Sequence, residues 1–143
     1  MTSTLTTDLE TKIDFKKIIQ QLNKYFSEGN IDGILSLMSK DIVWDIPGPS
    51  SVPYTGQFIG HDGFRAFMDI LSKTVKLTSG GSILTAISRN VALSEGQEGG
   101  YVLSTGKYYH YGWVQKYTLN EAGLIASMYQ YFDPSMVINA FNS

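Results

Sequence analysis

The second half of this chain constrains its fold most. From Ser82 to Phe132 it runs through "SILTAIS", "NVALSEG", "YVLSTGKYYHYGWVQKYTL" and "LIASMYQYF", segments dense in β-branched and aromatic residues and punctuated by Asn90, Gly99-Gly100, Gly106 and "NEAG". Such spacing predicts an antiparallel meander of long strands. The first half has a different period. Ile13, Phe15, Ile18, Ile19, Leu22, Tyr25 and Phe26 recur mostly at three- and four-residue intervals, which predicts an amphipathic helix stopped by "EGN". Asn30 is placed to cap a second short helix carrying Ile31, Ile34, Leu35 and Met38. A third is expected from His61 or Asp62, burying Phe64, Phe67, Met68, Leu71 and Val75. Between the second and third helices, Ile42–Ile46 reads as a short strand, followed by the loop "PGPSSVPYTGQFIG". Asp133-Pro134 before "SMVINAF" predicts a closing helical turn with Asp133 as its cap.

Helices first and strands second imply an α+β domain with helices on one face of a curved sheet. The 143 residues fit one domain, and 43% hydrophobic against 17% charged residues fit one real core. Residues 11–143 are expected to form it, with residues 1–10 a polar tail. Eleven basic and 13 acidic residues without a run of either sign give no footprint for nucleic acid. No apolar run reaches the ~20 residues that span a bilayer, and "MTSTLTTDLETK" lacks the order of a signal peptide, so a cytoplasmic protein is expected. With no cysteine and two separated histidines, neither a metal centre nor a thiol nucleophile is expected. Chemistry falls to carboxylates, tyrosines, histidine and amides.

The order helix, helix, "DIVWDIPG", a helix opening with "GHDGF", a "TGK" hairpin turn and a final strand "AGLIASMYQYFD" resembles the nuclear transport factor 2-like superfamily, in its SnoaL-like and ketosteroid-isomerase-like branches, over residues 13 to 141. The resemblance implies a cone-shaped, strongly curved mixed or antiparallel sheet wrapped around three N-terminal helices, with an apolar pocket open at one end. It also implies a homodimer formed through the outer sheet face, and a small apolar or aromatic ligand handled without cofactor. The activities it implies are those of an isomerase, cyclase or dehydratase. The ketosteroid isomerase pattern puts its base on Ile46 and its two oxyanion donors on Leu22 and Gln115, and none of the three residues matches.

Alternation along strands then sorts the candidates. Trp44 and Ile46 are expected in the pocket, which turns Asp45 outward; Asp45 stands either as a pocket acid or as an outer-face carboxylate. Tyr111, Trp113, Gln115 and Tyr117 are expected inward and His110 outward, while Met128, Gln130 and Phe132 share the inward face of the last strand. Gln115 would polarise a ligand carbonyl, or else be satisfied by Gln130 or a tyrosine hydroxyl. His61, at a helix start near the expected mouth, reads as a neutral base or an ordinary turn residue. Tyr54 reads as a lid over the opening or as loop packing. Glu95 and Glu98 lie in "EGQEGG", where a bulge would shift the alternation. Catalytic candidates are therefore Gln115, His61, Asp45 and Tyr54. The expected lining comprises Leu22, Phe26, Trp44, Ile46, Phe67, Met68, Leu71, Val102, Trp113, Met128, Gln130 and Phe132, whose aromatic share suits a flat guest. With no inward carboxylate evident, acid–base catalysis and simple ligand binding both stand, as does a dimeric interaction module.

Overall fold

The structure, a computed structural model, describes residues 2–143, with side chains from Phe15 onward. Its elements are α1 (Thr2–Glu28), α2 (Ile31–Ser36), β1 (Met38–Ile46), β2 (Gly56–Ile59), α3 (Gly60–Thr74), β3 (Val75–Ser79), β4 (Ser82–Ser88), β5 (Val91–Val102), β6 (Tyr108–Leu119), β7 (Ile125–Phe132) and α4 (Ser135–Phe141). This is the expected α+β architecture. Among the described residues no helix is long and apolar enough to cross a membrane.

Several boundaries differ from expectation. No glycine or proline interrupts the chain before Gly29, and helical backbone begins at Thr2 rather than at Ile13. The residues expected to form a tail therefore carry helix, and the side chains before Phe15 lie outside the described residues. Met38 leaves the second helix to open β1, and Val75 leaves the third to open β3. Within the expected loop, Gly56–Ile59 pairs with β1 as an extra strand. Asn30 does cap α2, its Oδ1 accepting from the Gly33 amide at 2.9 Å. At α4 the carboxylate of Asp133 accepts from the Ser135 amide at 3.0 Å, and this bond holds its pKa below the ordinary range.

The strands form one sheet in the order β2-β1-β7-β6-β5-β3, with β4 also on β5. Among the described residues only β1 and β7 run parallel; the other pairs are antiparallel. The first half of β5 pairs with β4 and the second half with β3, and each of these pairings slips once, between Leu84 and Ala86 and between Leu77 and Ser79. Such slips bend a sheet and raise its twist. The resulting curl wraps the helices: α3 lies on β1 and β2, α1 on β4, and α4 on β6 and β5. The core is apolar and closely filled by Phe15, Ile19, Leu22, Ile34, Trp44, Phe64, Phe67 and Met128, none more than 4% exposed.

Candidate active site on the concave face

Register turns the concave face into rows of side chains. Trp44, Met128, Tyr117 and Ala92 lie side by side across β1, β7, β6 and β5. The next row holds Gln130, Gln115 and Ser94, the third Phe132, Trp113 and Gly96, the fourth Tyr111 and Glu98, and the fifth Tyr109 and Gly100. The first two rows are sealed, with Gln115 the most exposed member at 8%. In the third row, by contrast, Phe132, Trp113 and Gly96 all stay half-buried, and so does Glu98 beside them. These partly exposed positions adjoin one another across β7, β6 and β5.

Glu98 is the inward carboxylate that alternation failed to reveal. Tyr109 and Tyr111 donate to its Oε2 at 2.8 and 2.9 Å, and Tyr54 donates at 3.4 Å. The Tyr54 and Tyr111 hydroxyls also meet at 3.1 Å. Its Oε1 receives no hydrogen bond from any described residue. Burial raises the Glu98 carboxyl above the ordinary glutamate value, against the lowering effect of the three phenols. Burial and the neighbouring carboxylate together lift all three tyrosines well above the usual phenol range, so they remain donors. The cluster therefore joins one strengthened base to three fixed proton donors.

The elements explain the convergence. Tyr109 and Tyr111 alternate inward along β6, and Tyr111 sits opposite Glu98 in the β5–β6 register. Tyr54 reaches in from the loop after β1, its ring 6.3 Å from Phe141 of α4. Tyr111 in turn packs against Phe132 at 4.9 Å. Gly96 lets Trp113 lie across β5, because a Cβ there would come within 2.3 Å of the indole.

A second polar group occupies the next row but one. Tyr117 donates to Gln115 Oε1, and Gln115 Nε2 donates to Gln130 Oε1 at 2.8 Å. Gln115 thus faces inward as expected, yet its own partners satisfy it. The indole N–H of Trp44 is buried without a partner, among the rings of Phe26, Phe64, Phe67 and Tyr117 at 5.0 to 6.4 Å.

Two catalytic candidates fall away from this face. Asp45 points outward between the buried Trp44 and Ile46, where Gln57 Nε2 lies 3.4 Å from its Oδ2. His61 stands 3.2 Å from the Met38 carbonyl, at the end of β1 opposite Ile46. Tyr54 is no surface lid: its residue is 1% exposed and its hydroxyl belongs to the Glu98 cluster. Of the expected lining, Leu22, Trp44, Ile46, Phe67, Leu71, Val102 and Met128 are closed core, while Phe26, Met68, Trp113 and Phe132 keep some exposure. A signal for Glu98 was present: Val102 is an inward residue, and counting back by twos through Gly100 reaches it. Among the described residues no three His, Asp or Glu side chains group as metal ligands.

No protein-family model matches the sequence, and no curated protein does. Solved structures do. An NTF2-like protein from Burkholderia xenovorans is 25% identical, the match covering 88% of this chain and 94% of that one at a TM-score of 0.78. TerC, co-crystallised with polyporic acid, is 22% identical over 89% of this chain and 97% of its own, with a TM-score of 0.75. A Mesorhizobium loti protein provisionally named a SnoaL-like polyketide cyclase is 15% identical over 80% and 96%, with a TM-score of 0.65.

Proposed function

This chain has the fold of the nuclear transport factor 2-like proteins, and on that premise we propose that it is a cofactor-free acid–base enzyme for a small, flat, apolar carbonyl compound, with Glu98 as the proton carrier. One observation carries the reading: all three phenols crowd onto Glu98 Oε2, and Oε1, in a residue that is not sealed, receives no bond from the described residues. A purely structural carboxylate gains most by engaging both oxygens. In the proposed step, Oε1 removes a proton from the carbon next to the carbonyl. The C–H pair becomes the C=C of an enolate while the carbonyl π pair moves onto oxygen. Glu98, now a carboxylic acid, returns the proton to another carbon, so the reaction is a redox-neutral isomerisation. Tyr54, Tyr109 and Tyr111 hold the carboxylate and stabilise its charged form. The provisional names of two neighbours, isomerase and polyketide cyclase, agree with this class.

β-Tetralone, a two-ring aryl ketone with acidic α-hydrogens, is a suitable probe. In deuterium oxide the protein is expected to accelerate exchange of those hydrogens, followed by proton NMR, and Glu98→Gln to slow the catalysed exchange by about 100-fold or more. Quenching of tryptophan fluorescence by the ketone should persist in the variant. Equal exchange by the two proteins would overturn the assignment of Glu98.

The same proposal includes a homodimer and a cytoplasmic site of action. On the outer sheet face Tyr101, Tyr108, Tyr129 and Tyr131 are 37 to 53% exposed, and their rings pack in tilted pairs with centroids 5.3 and 4.7 Å apart. A second copy would cover these rings.

A further inference from the structure

Resting on the proposed role of Glu98, we infer that α4 is a hinged lid over its cluster, one that turns at Asp133-Pro134 to admit the flat ketone and closes behind it. The phenols that hold Glu98 are sealed: Tyr54, Tyr109 and Tyr111 are 1, 0 and 6% exposed, although the carboxylate itself is only half-buried. Access for a water molecule is not enough. A two-ring ketone needs a space on the order of 300 Å³ beside the carboxylate, so part of what covers the phenols has to move.

Two elements close over this end of the inner face, and they are held differently. The loop after β1 is tied to itself. The amides of Val52 and Thr55 donate to the carbonyls of Pro49 and Val52 at 3.0 and 3.1 Å, the Thr55 hydroxyl lies within 3.0 Å of the same two carbonyls, and Val52 is fully buried. Such a loop keeps its shape. The seven residues of α4, by contrast, make about two turns, too few to stay helical without packing. It lies on β6 and β5 with Val137 and Ala140 buried and the Phe141 ring against Tyr54. Beyond that apolar contact, two bonds among the described residues tie its far end to the body, both from the turn between β5 and β6. Thr105 Oγ1 donates to the Ala140 carbonyl and Lys107 Nζ to that of Asn142, each at 2.6 Å. The near end is a pivot, where β7 stops at Phe132 and Asp133 caps the helix. Lifting α4 therefore breaks a small apolar contact and two ties, and the sheet stays folded while Phe141 leaves Tyr54.

Hydrogen exchange read by mass spectrometry tests the lid without reference to activity. In wild type the amides of Val137 to Asn142 are expected to exchange about tenfold or more faster than those of β6. Thr105→Val and Lys107→Met each remove one tie, and each should speed α4 by a further factor of about three to ten while β6 is unchanged. Thr105 also accepts from the Lys107 amide at 3.2 Å, a turn bond that Lys107→Met leaves in place, so agreement of the two variants assigns the effect to the ties. Saturating β-tetralone should slow α4 in wild type, and in stopped-flow fluorescence the ketone should associate about three to ten times faster with either variant. Exchange of α4 in step with β6, variants that change neither its exchange nor ketone association, or a ketone that fails to bind or leaves α4 exchange unaltered would each overturn the lid. Opening does not require Glu98. If Glu98→Gln takes deuterium into the ketone like wild type while α4 still opens alone and gates binding, the lid stands and the proton carrier is wrong.

Discussion

Glu98 shares one oxygen among three phenols, and burial keeps its carboxyl above the ordinary glutamate value of about 4.3. The folded protein therefore retains a proton there that the unfolded chain has already released. Stability from this group is complete below the unfolded value and is lost as pH rises through the raised folded one. Glu98→Gln cannot ionise, so its melting temperature is expected to gain on that of wild type as pH is raised from about 4 to 8. Thermal melts at several pH values check the sign. A difference that stays flat with pH would mean that Glu98 titrates alike in both states. The same residue shows how legible single sites were. Gln115, Trp113 and Gln130 face inward as alternation predicts, and Asp45 faces outward. Glu98 was obscured by neighbouring glycines, which have no side chain to declare a face, although Val102 nearby declares it.

Among the elements, β5 depends most on its glycines. A Cβ at position 96 would meet Trp113 at 2.3 Å and the Gly81 carbonyl oxygen at 2.6 Å, and backbone cannot yield as a flexible side chain does. Gly96→Ala is accordingly expected to destabilise the protein by about 1–3 kcal/mol and to shift Trp113 emission to the red, read by urea unfolding and fluorescence. A cost within a few tenths of a kcal/mol would show that the indole does not depend on lying over this strand. Long periodic elements were readable: α3, β4, β6 and β7 fall where the apolar pattern puts them, whereas β5 runs on through Gly99 and Gly100, expected to separate two segments, as far as Val102. β2 and β3 were not, because an alternation over four residues is too short to stand out from a loop and β3 is exposed after Val75. Their strand state comes from pairing with β1 and β5.

For the whole molecule, the outer face carries the untested half of the proposal. Tyr129→Lys with Tyr131→Lys is expected to turn a dimer into a monomer in sedimentation, since these outward side chains touch no part of the concave site. A wild-type protein that sediments as a monomer at tens of micromolar would remove the dimer from the proposal. What the amino-acid order determined alone was local: where helical period gives way to strand period, which residues cap and turn, and which side chains share a face. These depend on neighbours within a few positions. Which faces meet is a matter of register between strands distant in sequence, and only the folded sheet decides it. Glu98 met Tyr109 and Tyr111 across one hairpin and Tyr54 across 44 positions. No period within a segment encodes that contact, because it follows from how far the sheet bends and from which loop closes over it.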